Sequence, residues 1–152
     1  MPETMDQTPA ILDQEVFDRF PGVLLTHDNI EHFRGLLERK LLINRCQDCG
    51  YWIYPHRPLC PECWSTNVVP TEVSGNGSVY MYTILYQGRA LESGLEYPHL
   101  KAGIELEEQP GLRYLAPVIN CDIDAVEEGM PVRITWIELG GTPTAAFEPA
   151  SA

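Results

Sequence analysis

The sequence predicts a mainly β chain with an N-terminal helix, a compact four-cysteine module and then a five-stranded barrel. Three observations predict it. Apolar residues at helical spacing occur in one stretch ahead of Cys46. Two cysteine pairs lie close together between residues 46 and 63. From Val68 onward, short apolar runs alternate with Gly and Pro turns, which is the pattern of strands. The 152 residues are enough for one domain, or one plus a small appendage.

Residues 1–28 read as an irregular acidic arm with Pro2, Pro9 and Pro21 and no sustained period. Asp28 followed by Glu31 resembles a capping box, and Ile30, Phe33, Leu37 and Leu41 then recur at helical spacing. The spacing predicts an amphipathic helix over 29–44, in which Gly35 costs up to about 1 kcal/mol. The cysteine module spans 45–69.

A barrel is expected over 70–149, with a tail at 150–152. Val68 to Val73 and Ser78 to Tyr86 read as a hairpin turned at Asn76-Gly77, a pair that accepts positive φ. The second of these strands is apolar on both faces, with Val79, Met81 and Leu85 on one and Tyr80, Tyr82, Ile84 and Tyr86 on the other. Residues 87–99 form a loop. Leu100, Ala102, Ile104 and Leu106 alternate with polar or small residues as a half-buried strand. Pro110-Gly111 fits a type II turn, and Pro117 marks an edge or bulge in the strand Leu112 to Asn120. A helical turn is expected from Asp122 to Glu128, then strands around Val132–Trp136 and 143–148. Strands with a short helix between the third and fourth make the layout of an OB-fold, a five-stranded Greek-key barrel.

Cys46-x2-Cys49 and Cys60-x2-Cys63, separated by ten residues, carry the strongest chemical signal. Each C-x2-C turn points two thiolates at one centre, and two such turns make a tetrahedral sulfur cage. Zinc prefers that geometry, and four protein ligands leave no position open for water, so the expected metal is one structural zinc. Rubredoxin-like iron is the chemical alternative for the same cage. Cys121 reads as a small buried hydrophobe. His27, His32, His56 and His99 show no metal-ligand spacing, and no self-contained catalytic set is evident.

Charge narrows the partners. The net charge is −12, but it is uneven: residues 1–18 carry five acids and no base, 19–57 carry six bases against four acids, and 58–152 carry four bases against thirteen acids. A barrel this acidic suits phosphate backbones poorly. No apolar run approaches the ~20 residues of a membrane span, and residues 1–18 lack the features of a secretory signal, so a cytoplasmic location is expected.

Cys46-x2-Cys49-Gly50, Tyr54-Pro55-His56-Arg57-Pro58 and Cys60-Pro61-x-Cys63, followed by Gly75-Asn76-Gly77-Ser78-Val79, Gly129-Met130-Pro131-Val132 and Phe147-x-Pro149, resemble the zinc-ribbon/OB-fold family associated with acyl-CoA enzymes. The departures are His56 in place of a second proline, Trp64 in place of glycine, and the arm. The resemblance implies a rubredoxin-like zinc ribbon and an OB-fold. It also implies a non-catalytic accessory subunit of a thiolase-like or aldolase partner, in a hetro-oligomer that makes or breaks carbon–carbon bonds of acyl-CoA. Arg45 and Arg57 flank the cysteine turns and are candidates for the phosphates of a CoA shared with that partner. Because OB-folds and zinc ribbons both bind single-stranded nucleic acid, a module of that kind is the alternative, with Tyr80, Tyr82 and Tyr86 as its stacking platform.

Overall fold

The computed structural model describes residues 10–87 and 95–150, so the first nine residues of the arm, part of the 87–99 loop and the last two residues lie outside the described segments. The described chain runs α1 (Asp13–Arg19), α2 (Ile30–Leu37), β1 (Leu42–Cys46), β2 (Trp52–Ile53), β3 (Val68–Glu72), β4 (Asn76–Leu85), β5 (His99–Leu106), β6 (Arg113–Val118), β7 (Pro131–Leu139) and β8 (Thr142–Pro149). Strands β2-β1-β3 form a small antiparallel sheet, and β4-β5-β6-β8-β7 close into a five-stranded barrel, the OB-fold.

The arm is not irregular throughout. Within it, α1 is held by Arg34 of α2, whose guanidinium donates to the Ile11 carbonyl at 2.8 Å and pairs with Asp13 and Glu31. Val16 is fully buried beneath α1, and the Phe20 and Phe33 rings meet at 5.0 Å.

The helix expected over 29–44 ends at Leu37. Arg39 takes a positive φ of 57°, the chain reverses, and Leu41 and Ile43 enter the core from a strand setting. The cap is Asn29 rather than Asp28, and its carboxamide oxygen accepts from the Thr26 amide at 2.7 Å. The most deeply buried helix residues are His32, Gly35 and Leu36.

The predicted hairpin does not form. Val68–Glu72 pairs with β1 in the ribbon sheet, and Asn76-Gly77 already belongs to β4, whose register with Arg133 and Val132 closes the barrel. The change of direction falls at Gly75, with φ +87°.

Strand β4 is also not buried on both faces. The register slips between Val79 and Met81, which leaves Tyr80 as a bulge. Val79 faces Ile104 in the core, but past the bulge it is Tyr82 and Ile84 that pair with the buried Ala102 and Leu100, and Met81 lies opposite Gly103, 58% exposed. The alternation of β5 holds, with Leu100, Ala102, Ile104 and Leu106 all buried. The segment from Asp122 to Glu128 makes turns rather than a helix. Leu36, Leu41, Ile43 and Trp52 pack with barrel residues such as Val79, Ile104 and Phe147 in one core, while Cys46, Ile53 and Cys60 form a second, smaller cluster.

Candidate metal centre

The sulfurs of Cys46, Cys49, Cys60 and Cys63 all lie within 4.8 Å of one another. Sγ of Cys46 is 3.5 Å from that of Cys63, and Sγ of Cys49 is 3.6 Å from that of Cys60. Sulfurs about 2.3 Å from a tetrahedral zinc stand about 3.8 Å apart, so the four thiols fit that ion.

The two cysteine turns repeat the same backbone pattern. In the first, the Gly50 amide donates to the Cys46 carbonyl at 2.9 Å and the Cys46 amide to the Tyr51 carbonyl at 2.8 Å. In the second, the Trp64 amide donates to the Cys60 carbonyl at 3.0 Å and the Cys60 amide to the Ser65 carbonyl at 2.9 Å. Amides also point at the sulfurs: that of Cys49 draws the Cys46 thiol down to about 6, whereas the Tyr51 and Ser65 amides are outweighed by burial and the neighbouring thiols, which push Cys49 and Cys63 up. Hydrogen bonds to a thiolate favour the charged form that a metal requires. The Asp48 carboxylate receives the Ser65 hydroxyl and the Asn67 carboxamide, which ties the first turn to the second.

The two arginines beside the turns differ. Arg45 Nε donates to the Gly50 carbonyl at 3.1 Å, and its guanidinium lies over the Trp52 ring at 4.8 Å. Arg57 is exposed and lines a cleft of about 550 Å³ with His27, Asp28, Asn44, Thr66 and Pro70.

A ring cluster that no sequence motif marks lies beneath the ribbon. His32 is buried, with Nδ1 2.9 Å from the Leu42 carbonyl and Nε2 3.4 Å from the Tyr114 hydroxyl. Its ring is 4.8 Å from that of His56, and the Tyr54 ring lies 5.3 Å from His56 and 5.5 Å from Tyr114. Burial lowers the His32 pKa to about 4 and lowers that of His56. His32, the Tyr54-Pro55-His56 stretch and Tyr114 lie more than twenty positions apart in sequence, and no local spacing signals their meeting. Cys121 donates its thiol to the Asp122 carbonyl, and burial and the Asp122 charge push its pKa up.

Residues 33–69 match the description "ChsH2, rubredoxin-like zinc ribbon domain", and residues 70–137 match "ChsH2, C-terminal OB-fold domain". A "DUF35 domain-containing scaffold protein" of Pyrococcus furiosus is 35% identical over 105 residues, 68% of this chain and 71% of the relative. The chain belongs to the DUF35 (ChsH2) family. A second relative is the "Probable enoyl-CoA hydratase alpha subunit" of Thermomonospora curvata, 32% identical over 118 residues. That match takes in 78% of this chain but only 36% of the relative, so the chain spans about a third of its length. Among solved structures, "Ltp2-ChsH2(DUF35) aldolase" superposes with a TM-score of 0.76 at 31% identity, over 85% of this chain and 99% of that one. The DUF35 family therefore accounts for both the ribbon and the barrel.

Proposed function

We propose that the chain is a non-catalytic, zinc-holding accessory subunit of a thiolase-type acyl-CoA complex, which makes or breaks carbon–carbon bonds in aromatic, steroid or fatty acyl-CoA metabolism. The observation that carries the reading is the likeness of 85% of this chain to nearly the whole of a chain from the Ltp2-ChsH2(DUF35) aldolase. In this reading Cys46, Cys49, Cys60 and Cys63 hold one structural zinc that fixes the shape of the ribbon, and the ribbon with α2 docks the partner and stabilises it. The partner brings the nucleophile and bases. The chemistry of the described residues agrees with that division: the buried histidines face tyrosines, and the Cys121 thiol is held protonated beside a carboxylate.

Arg57 is the residue this reading assigns to a CoA phosphate. It is exposed at the mouth of an open cleft and makes no ion pair among the described residues, whereas Arg45 is occupied by Gly50 and Trp52. A cytoplasmic location belongs with the same reading, and no helix among the described residues is long and apolar enough to cross a membrane. Affinity purification of the tagged chain from its native host tests the assignment. A thiolase-fold protein that co-elutes in fixed stoichiometry supports it. Co-expression with that protein giving two separate monodisperse species overturns it.

A further inference from the structure

We propose that a cleft in the barrel wall, where β6 and β8 part, binds a small monocarboxylate anchored on Lys101. Strands β6 and β8 run parallel but pair at one position, Val118 with Phe147. Towards Leu115 and Thr144 they separate, and a cleft of about 430 Å³ opens between them. Its walls mix carbon with polar surface: Leu85, Leu115 and Pro117 line it beside the Tyr114 ring, Lys101 and Thr144.

Two polar groups at this cleft lack a partner among the described residues. Lys101 is half-buried, and its cross-strand neighbours Thr83 and Pro117 carry no charge. No carboxylate pairs with its ammonium among the described residues. A half-buried ammonium at a cleft with no carboxylate beside it is a place for an anion. Two residues earlier on the same face of β5, His99 holds its Nδ1 out of solvent with no hydrogen-bond partner. A half-turn of that ring exchanges its two edges and offers a second donor beside the ammonium.

Size and charge select the ligand class. The volume lies near the low end for ligand sites, so the occupant is a small molecule. One ammonium balances one carboxylate, while the four bases and thirteen acids of residues 58–152 repel a polyanion. Leu85 and Leu115 give the body of that molecule carbon to rest on. The cleft shares no lining residue with the one beside Arg57 and is built from this chain alone, whatever the identity of the partner.

The test is an amide-resolved NMR titration of the zinc-loaded full chain at low salt, with 4-phenylbutyrate and its uncharged amide as probes. The expected result is shifts centred on Leu85, Lys101 and Leu115, with the acid binding at least about tenfold more tightly than the amide. Lys101→Met should bring the acid to the level of the amide and leave binding of the amide unchanged, and Lys101→Arg should restore the preference. Equal binding of acid and amide, shifts centred elsewhere, or a Lys101→Met protein that still prefers the acid overturns the proposal. Displacement of the acid by a short oligothymidine would also overturn it, in favour of a nucleic-acid face.

Discussion

Gly50 and Trp64 occupy the same place in the two cysteine turns. Each follows the second cysteine, each donates its amide to the carbonyl of the first, and each has positive φ, 81° and 64° respectively. Glycine adopts that conformation freely, whereas a residue with a Cβ adopts it at a cost of about 1–2 kcal/mol. Trp64 has little burial to offset this, since it is 76% exposed. Trp64→Gly should therefore raise stability by about 0.5–1 kcal/mol once the greater freedom of glycine in the unfolded chain is counted. Gly50→Ala should lower stability by about 1 kcal/mol or more. Urea unfolding of both variants at fixed zinc checks this, and a Trp64→Gly protein less stable than the parent would refute it.

Removing one ligand should release the metal without dissolving the barrel. Cys60→Ser leaves three thiolates, and zinc-dependent folding energy in small metal modules is about 10–16 kcal/mol. Metal analysis should fall from one zinc per chain to none after dialysis against a chelator. NMR signals of residues 46–67 should collapse, while those of β5 and β7 persist. Retention of one zinc by this variant would show that the four cysteines do not form the site together.

Acid should destabilise the fold through His32. Its pKa is lowered from the usual value of 6.5 to about 4, chiefly by burial; the Leu42 carbonyl opposes that shift and the neighbouring His56 adds to it. The other groups facing the pair are the Tyr54 and Tyr114 phenols, with the Asp28 charge acting on His56. A folded pKa below the unfolded one means that the unfolded chain takes up the proton first. The stability tied to a neutral His32 is thus whole above about pH 6.5 and is lost as pH falls to about 4, roughly 3 kcal/mol in all. Urea midpoints at several pH values in this window should fall steeply for the parent and less steeply for His32→Leu, which retains the same metal site. Parallel slopes would exclude His32 as the titrating group.

Arg57 and Arg45 should separate cleanly in the assembled complex. Arg57→Ala removes a charge-assisted contact of about 1.5–3 kcal/mol, so KM for the acyl-CoA should rise about tenfold or more, and less so at high salt. Arg45→Ala should leave KM unchanged and cost about 1 kcal/mol of stability, because its guanidinium serves Gly50 and Trp52. The reverse pattern would move the phosphate contact to Arg45.

The parts of the fold that rest on short-range pattern were legible in the sequence. The cysteine spacing brings four thiols together, and the alternation of Leu100, Ala102, Ile104 and Leu106 is the alternation of burial. What escaped was decided by contacts across the chain. Leu41 fits a helical stripe and a strand equally well, and only the reversal at Arg39 decides between them. Val68–Glu72 has the composition of a hairpin partner for β4, but β1 was available to it. The bulge at Tyr80 transfers Met81 to the outside, which strict alternation cannot anticipate. The ring cluster of His32, His56, Tyr54 and Tyr114 draws on α2, the ribbon and β6, so it exists only once all three have met.

Strand β1 serves two masters. At one end, Leu41 and Ile43 are inserted among the barrel side chains; at the other, Cys46 joins Ile53 and Cys60 in the ribbon's own cluster. In a metal-free chain the cysteine turns loosen, but the two strands that lead into and out of them stay anchored. The barrel already grips the strand that leads to Cys46, and β3 returns from Cys63 alongside it in a fixed register, Cys46 opposite Val68. Metal capture becomes the closing of a clasp whose base is held, which spares most of the chain entropy that a free-standing finger must lose on binding. It also makes the barrel the template on which the ribbon is assembled.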